Sequence, residues 1–331
     1  MARLESEFQE IITEMIALAA KPNISDFYPG LARFDLQGIV RRTNILANRF
    51  DSFCNMVIAN RLQMDEEGWN QNVGDEVNST QDFLQYLLRL KTDGDLDGGA
   101  PFTMTQLKAL LLDMVVGGTE TSSNSVEFAM AEMIKNPEVM SKAQRELEQV
   151  VGKDNMMEES HLHDLPYLKA VMRETLRLHP ALPLLMPHCP NETCLNFDPE
   201  RFAGADNKWD LNGSALNYKP FGSSHRICPG TVMGDKVVLY SLATLVHSFE
   251  WKLLGGGEEN LDVSEEFGIN LKKKEPLVVI PTPRLSNPAL FEYKMSIRMM
   301  STEWMRRMFP KKRKNIMKLP CCRALARVEP R

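Results

Sequence analysis

Pro220-Phe221-Gly222-Ser223-Ser224-His225-Arg226-Ile227-Cys228-Pro229-Gly230 is the stretch on which the reading of this chain turns. It is a turn rich in glycine and serine that delivers one cysteine to the start of an apolar segment. From Thr231 to Trp251, Val238, Leu242, Leu245 and Phe249 recur at steps of 4, 3 and 4, one stripe of an amphipathic helix. Cys228 thus stands just ahead of a helix N-terminus, where unpaired N–H groups and the positive end of the dipole favour negative charge. A bare Cys-Pro-Gly is more simply a buried cysteine in a capped turn, but the ten residues around it point elsewhere. An electron-rich sulfur held in this way is what a haem iron takes as its axial ligand.

Outward from this loop, the longest periodic segment runs from Thr105 to about Asn136 and has an odd centre, Val115-Val116-Gly117-Gly118-Thr119-Glu120-Thr121-Ser122-Ser123. Glycines cost about 1 kcal/mol each in a helix interior, and the Thr/Ser run competes for backbone hydrogen bonds. Either the helix breaks in two there, or the weak centre is kept because something presses against it. Asn136-Pro137-Glu138 predicts an N-cap, a proline at the first helical position and an acid in the first turn of a helix that ends at Gly152. Asp164 to His179 is the next helix, stopped by Pro180, with Glu174 and Arg177 as neighbours on one face. Most such pairs are solvated and contribute only about 0.3–0.5 kcal/mol. Further helices are expected over 4–20, Asp35–Leu62 and Phe83–Leu88, with acidic polar loops over 65–78 and 92–99. Leu277–Ile280 is a brief strand candidate. The fold class is therefore mainly α with a small β component.

The net charge of −5 conceals an asymmetry. Residues 284–331 carry 13 Lys/Arg against 3 Asp/Glu, whereas residues 1–283 carry 26 against 41. Body and tail are different material. In the tail, Ile297, Met300, Trp304 and Met308 with Arg298, Arg306 and Arg307 suit a single basic amphipathic helix, and Lys311-Lys312-Arg313-Lys314 suits an anionic membrane surface. A disordered extension is the plainer expectation, and no specific nucleic-acid partner is expected. Six cysteines (54, 189, 194, 228, 321 and 322) form no CxxC and no even framework, which argues against a disulfide scaffold or a zinc site. The N-terminal residues contain no apolar run of signal-peptide or anchor type.

Four pieces of this sequence, in this order, resemble the cytochrome P450 haem-thiolate monooxygenases. Gly117-Gly118-Thr119-Glu120-Thr121 looks like the family's distal helix motif, and Glu174-Thr175-Leu176-Arg177 like its E-x-x-R pair. Pro199-Glu200-Arg201-Phe202 looks like the segment whose arginine joins that pair, and Phe221 to Gly230 like the haem-binding loop F-x-x-G-x-R-x-C-x-G. The text from Lys21 to Pro29, with Asp35-Leu36-Gln37-Gly38, is similar to the plant subfamily containing geraniol hydroxylases. The resemblance covers residues 1–283 as a partial P450-like domain and leaves 284–331 as an extension.

The resemblance implies a role for each motif. Cys228 is the axial ligand of the haem iron, Arg226 pairs a propionate, and Phe221, Gly222 and Gly230 shape the loop. Gly117 and Gly118 let the distal helix approach the porphyrin, and Glu120 and Thr121 organise proton delivery there. Glu174, Arg177 and Arg201 form a structural charge triad. The implied reaction hydroxylates a small apolar substrate such as an isoprenoid alcohol, using O2 and electrons from NADPH through NADPH-cytochrome P450 reductase. The family's place is the cytosolic face of the endoplasmic reticulum membrane; without an anchor segment, this chain is expected in the cytoplasm.

Four departures from the family pattern set the competing expectation. Ser224 stands where the family has glycine, and His225 where the subfamily has arginine; if position 224 needs a positive φ, a serine there is strained by about 1–3 kcal/mol. The family's anchor and early helices are absent, including one whose Trp and Arg contact a propionate. Cys189-Pro190-Asn191 runs directly on towards Pro199, where the family has sheet and a short helix, and His188 takes the place of an arginine. The basic tail has no counterpart. On these grounds the alternative is a catalytically inactive fragment that does not hold haem productively.

Overall fold

The computed structural model describes residues 2–66, 83–93, 102–182, 196–203, 211, 213, 218–257, 261–266 and 268–285. The expected tail helix, the basic run, the Pro190–Asn191 junction, His188 and Cys189, Cys194, Cys321 and Cys322 lie outside those residues. Eight α-helices and four strands are present among the described residues, and the molecule is mainly α with a small β component. None of those helices is long and apolar enough to cross a membrane.

The chain forms two compact units, Arg3–Gly117 and Gly118–Arg331. The first contains α1 (Ala2–Ala19), the short α2 (Ile24–Phe27), α3 (Ile39–Glu66), α4 (Phe83–Asp93) and the start of α5 (Met104–Lys135). Its core is a set of helix-spaced apolar side chains, including Ile11, Leu46, Phe50, Ile58, Leu87 and Leu107, all almost fully buried. Cys54 lies among them, and burial pushes its thiol up to about 11, so it is a packed and unreactive sulfur.

The connector between α1 and α3 is shaped by its own side chains. Asp35 adopts a left-handed conformation, φ 42°, and its two carboxylate oxygens accept from the N–H groups of Val40 and Arg41 at 3.1 and 2.9 Å. A side-chain cap of this kind starts the helix at Ile39, four residues later than the spacing predicts. Gln37 spans the turn, accepting from Ile24 N–H at 2.6 Å and donating to the Pro22 carbonyl at 3.1 Å.

The second unit packs α6 (Pro137–Val150), α7 (Pro166–Leu178), α8 (Thr231–Ser248) and the C-terminal half of α5 around one core. That core includes Met130, Met133, Leu147, Leu168, Leu242 and Val246. α5 is one unbroken 32-residue helix, so its glycines do not divide it. Asn136 is at the N-cap position of α6 but makes no side-chain cap; its Nδ2 donates backwards to the Glu132 carbonyl at 2.8 Å. A carboxylate from another helix does the capping of α7. Glu146 accepts from the N–H groups of Tyr167 and Leu168 at 2.7 and 2.8 Å.

α8 stops at Ser248, three residues before Trp251, where helical spacing alone would carry it. Phe249 has extended geometry, and Phe249–Leu253 forms β1, antiparallel to β4 (Val279–Pro283) with Phe249 opposite Pro283. Phe-Glu-Trp-Lys-Leu alternates apolar and polar, so pairing with a distant strand overrides the helical stripe. A second antiparallel pair is very short, β2 (Glu265–Glu266) with β3 (Lys272–Lys273).

His179, at the end of α7, joins three of these elements. Its Nδ1 lies 2.7 Å from Glu265 and its Nε2 3.0 Å from Glu132, while its ring stacks on Phe128 at 4.2 Å between centroids. Two carboxylates on opposite ring nitrogens require both nitrogens to donate, which only the imidazolium does. Burial disfavours that charge, but hydrogen bonds to Glu132 and Glu265 outweigh it and raise the pKa above 6.5. A raised folded-state pKa adds stability that is complete below the unfolded value and lost as pH rises through the folded one. The stability advantage of the wild type over His179→Gln, measured by urea unfolding, is therefore expected to shrink as pH rises past neutrality. A constant or widening gap would contradict the assignment.

Candidate active site

The loop from Phe221 to Gly230 is closed on itself. The Cys228 N–H donates to the Phe221 carbonyl at 2.8 Å, and the Cys228 carbonyl accepts from Thr231 N–H at 3.3 Å and Thr231 Oγ1 at 2.7 Å. These bonds tie the cysteine to the first turn of α8, whose N-cap is Gly230. The thiol itself is exposed. A Cβ added at Gly230 would sit 3.7 Å from the sulfur, and one added at Gly234 would meet the Phe221 ring at 3.2 Å. Gly234 therefore lets the phenyl ring lie against α8. The approach from Gly213 is tighter still, since a Cβ there would come within 2.2 Å of the Gly222 carbonyl oxygen. Neither Gly213 nor Gly234 was legible as part of the site, because only the folded loop brings them to it.

Two loop residues have positive φ, Gly222 at 79° and Ser224 at 57°. Ser224 opens the single-turn helix Ser224–Arg226 that leads into the cysteine. It is therefore a serine held in the left-handed region, which costs about 1 kcal/mol relative to glycine. Ser224→Gly is expected to stabilise the chain by about that amount, read as a higher midpoint in urea. No change, or a loss, would show that the serine is not strained. His225 and Arg226 are exposed beside it.

Within the second unit, Glu174, Arg177 and Arg201 come together. The Glu174 carboxylate is fully buried and takes two hydrogen bonds from Arg177, at 2.7 and 2.8 Å, and one from the Asp198 N–H at 3.0 Å. Arg201 Nε approaches it at 3.5 Å. Arg177 also donates to the Asn196 carbonyl, so the Pro199–Phe202 turn is fastened to α7 from two sides.

On α5, Gly117 and Gly118 are exposed, and a Cβ added to either would meet nothing within 4 Å. The next turn carries Glu120, whose Oε2 accepts from Asn270 Nδ2 at 3.1 Å, and Thr121, whose carbonyl accepts from Ser125 Oγ at 2.8 Å. Glu120 is thus joined to the hairpin β2–β3 rather than to the cysteine loop. That pairing was not readable beforehand, because its partners are 150 residues apart.

These residues fit a thiolate-ligated haem. The sulfur is a soft donor, free and exposed, at the head of a helix. The flank of α8 that follows it is apolar yet open, with Val232 at 74%, Met233 at 60% and Val237 at 41% exposure. A flat apolar ring system would cover such a surface. Arg226 offers an exposed guanidinium of the kind that pairs a carboxylate.

Comparison with known proteins agrees with this chemistry. The cytochrome P450 family pattern matches residues 2–195 and again 192–280, two stretches that meet beside the Pro190–Asn191 junction. A flavonoid 3'-monooxygenase of Crocosmia x crocosmiiflora is 37% identical over 316 residues, 86% of this chain and 59% of its own length. One from Arabidopsis thaliana is 39% identical over 314 residues, 85% and 59% respectively. A flavonoid 3',5'-hydroxylase of Petunia hybrida is 37% identical over 311 residues, again 85% and 59%. The chain thus spans about 59% of the length of these curated relatives. All three are flavonoid hydroxylases, so the geraniol-hydroxylase subfamily and the isoprenoid-alcohol substrate expected from residues 21–38 find no support here. With a loop that presents its cysteine at the head of α8 and a family pattern matched across most of its length, this chain belongs to the cytochrome P450 family.

Proposed function

We propose that the chain is the working part of a haem-thiolate monooxygenase that hydroxylates the aromatic ring of a flavonoid-type phenol. The balanced reaction converts RH, O2, NADPH and H+ into ROH, H2O and NADP+, with electrons delivered by a reductase partner. The observation that carries this reading is the exposed Cys228 sulfur beside the open apolar flank of α8. The substrate class is taken from what the relatives are named for.

When bound, the haem supplies the activation of dioxygen. The chain's residues do the rest. Cys228 would give its sulfur to the iron, and the first N–H groups of α8 would hold the negative charge on it. Arg226 would pair a propionate of the bound haem. Gly117 and Gly118 keep one face of α5 free of side chains, and Glu120 and Thr121 hold and pass protons there. The Glu174, Arg177 and Arg201 set keeps the segment behind the cysteine loop in place. The P450 domain is residues 1–283, and the basic tail is an extension to it. An inactive fragment is the reading that the relatives do not favour.

The test is turnover by the haem-loaded chain with NADPH and a plant P450 reductase, offered either a flavanone bearing one hydroxyl on its pendant ring or geraniol. A flavanone product carrying one added oxygen is expected. Oxidation of geraniol alone, or of neither compound, would overturn the proposal.

A further inference from the structure

The hairpin Glu265–Lys273 is strapped along α5 at several points. At its start, Glu265 reaches Glu132 through His179. Near its turn, the Leu271 N–H donates to the Ala181 carbonyl at 2.9 Å, and the Leu271 carbonyl accepts from Asn124 Nδ2 at 2.9 Å. Between these fastenings stands Asn270, only 8% exposed, whose Nδ2 donates to Glu120 Oε2 at 3.1 Å. Glu120 and Asn124 are one helical turn apart, so the hairpin meets two successive turns of one face. A Cβ added at Gly268 would come within 3.3 Å of the Asn270 carbonyl oxygen, so the backbone turns closely at this point.

A glutamate on a helix has three rotatable side-chain bonds, and Glu120 is only partly buried. Left alone it samples several directions. One N–H from a buried amide on a strapped hairpin selects one of them and leaves the second oxygen available. The donor is neutral, so it aims the carboxylate without supplying a counter-charge; a lysine or arginine in its place would hold Glu120 as an ion pair.

We propose that Asn270 is a positioning residue for Glu120, holding that carboxylate in the direction from which it passes protons. This rests on the proton-passing role of Glu120 proposed above. It makes the hairpin, and not α5 alone, part of the machinery that couples electron use to product formation.

Two measurements test it. The first needs no haem: unfolding of the full chain in a double-mutant cycle of Glu120→Ala and Asn270→Ala. The paired change is expected to depart from additivity by about fivefold in the unfolding constant. Strict additivity would overturn the tether. Asn270→Leu keeps much the same volume, removes the donors without adding charge, and replaces the alanine variant if that one does not fold.

The second measurement uses the haem-loaded chain with NADPH and reductase. Asn270→Ala is expected to raise the share of electrons recovered as hydrogen peroxide by about three- to tenfold, with KM changed by less than about twofold. In the Glu120→Ala background the same substitution is expected to add nothing, and Asn270→Gln to restore part of the coupling. An equal rise in both backgrounds, or a change in KM alone, would overturn the positioning role. A chain that shows the coupling in unfolding but no thiolate-type spectrum with carbon monoxide would overturn the proposed function and leave Asn270 a structural contact only.

Discussion

Cys228→Ala is expected to abolish the thiolate-type carbon-monoxide spectrum of the reduced, haem-supplied chain while leaving its fold intact. The two effects separate because the residue contributes to them through different atoms. Its backbone N–H and carbonyl close the loop, to Phe221 and Thr231, and alanine keeps both. Its side chain is exposed, so its removal costs less than about 0.5 kcal/mol in urea unfolding. The sulfur is the one thiolate donor on that loop, and without it no ligand there, His225 included, can give a thiolate-type band. Cys54→Ala is the internal control. That sulfur is packed in the first unit, so its loss costs about 1 kcal/mol of stability and leaves the spectrum unchanged. A band that survives in Cys228→Ala would overturn the site assignment.

Arg177→Ala is expected to be among the most destabilising single substitutions in the second unit, at about 3 kcal/mol. It leaves the fully buried Glu174 carboxylate with Arg201 at 3.5 Å and one backbone N–H in place of two short guanidinium bonds. The lower end of the usual range applies because the Arg177 side chain is 22% exposed, so water can reach the gap. Arg177→Lys is expected to recover less than half, since an ammonium cannot reproduce the forked pair. Arg201→Ala is expected to cost only about 1 kcal/mol, because its contact is longer and its side chain a third exposed. Urea unfolding of the three variants decides the order. Equal costs for Arg177→Ala and Arg201→Ala would mean that the carboxylate does not depend on its forked partner.

Much of the site was legible because its parts are local. The cysteine, the loop carbonyl it bonds and the helix it precedes fall within about a dozen residues, and Glu174 and Arg177 share one turn of α7. The need for a positive φ at position 224 could be posed from the chain alone, and the structure answers it at 57°. Whether the Gly-Gly segment broke its helix could not be answered in the same way. Both outcomes satisfy local propensity, and the continuous α5 shows which one the surroundings select.

What the sequence by itself determined here is the set of short-range choices: where helices start and stop at proline and glycine, which cysteine heads a helix, and which family's order the motifs follow. The tertiary structure alone decided the long-range partners. His179 finds carboxylates 47 and 86 residues away, Asn270 finds Glu120 across 150, and α8 yields three expected helical residues to a strand paired with β4. Backbone geometry and capping act over a few residues and are written in composition. A buried polar group must be satisfied by whatever the fold brings within about 3 Å, and that is set only once the core has closed.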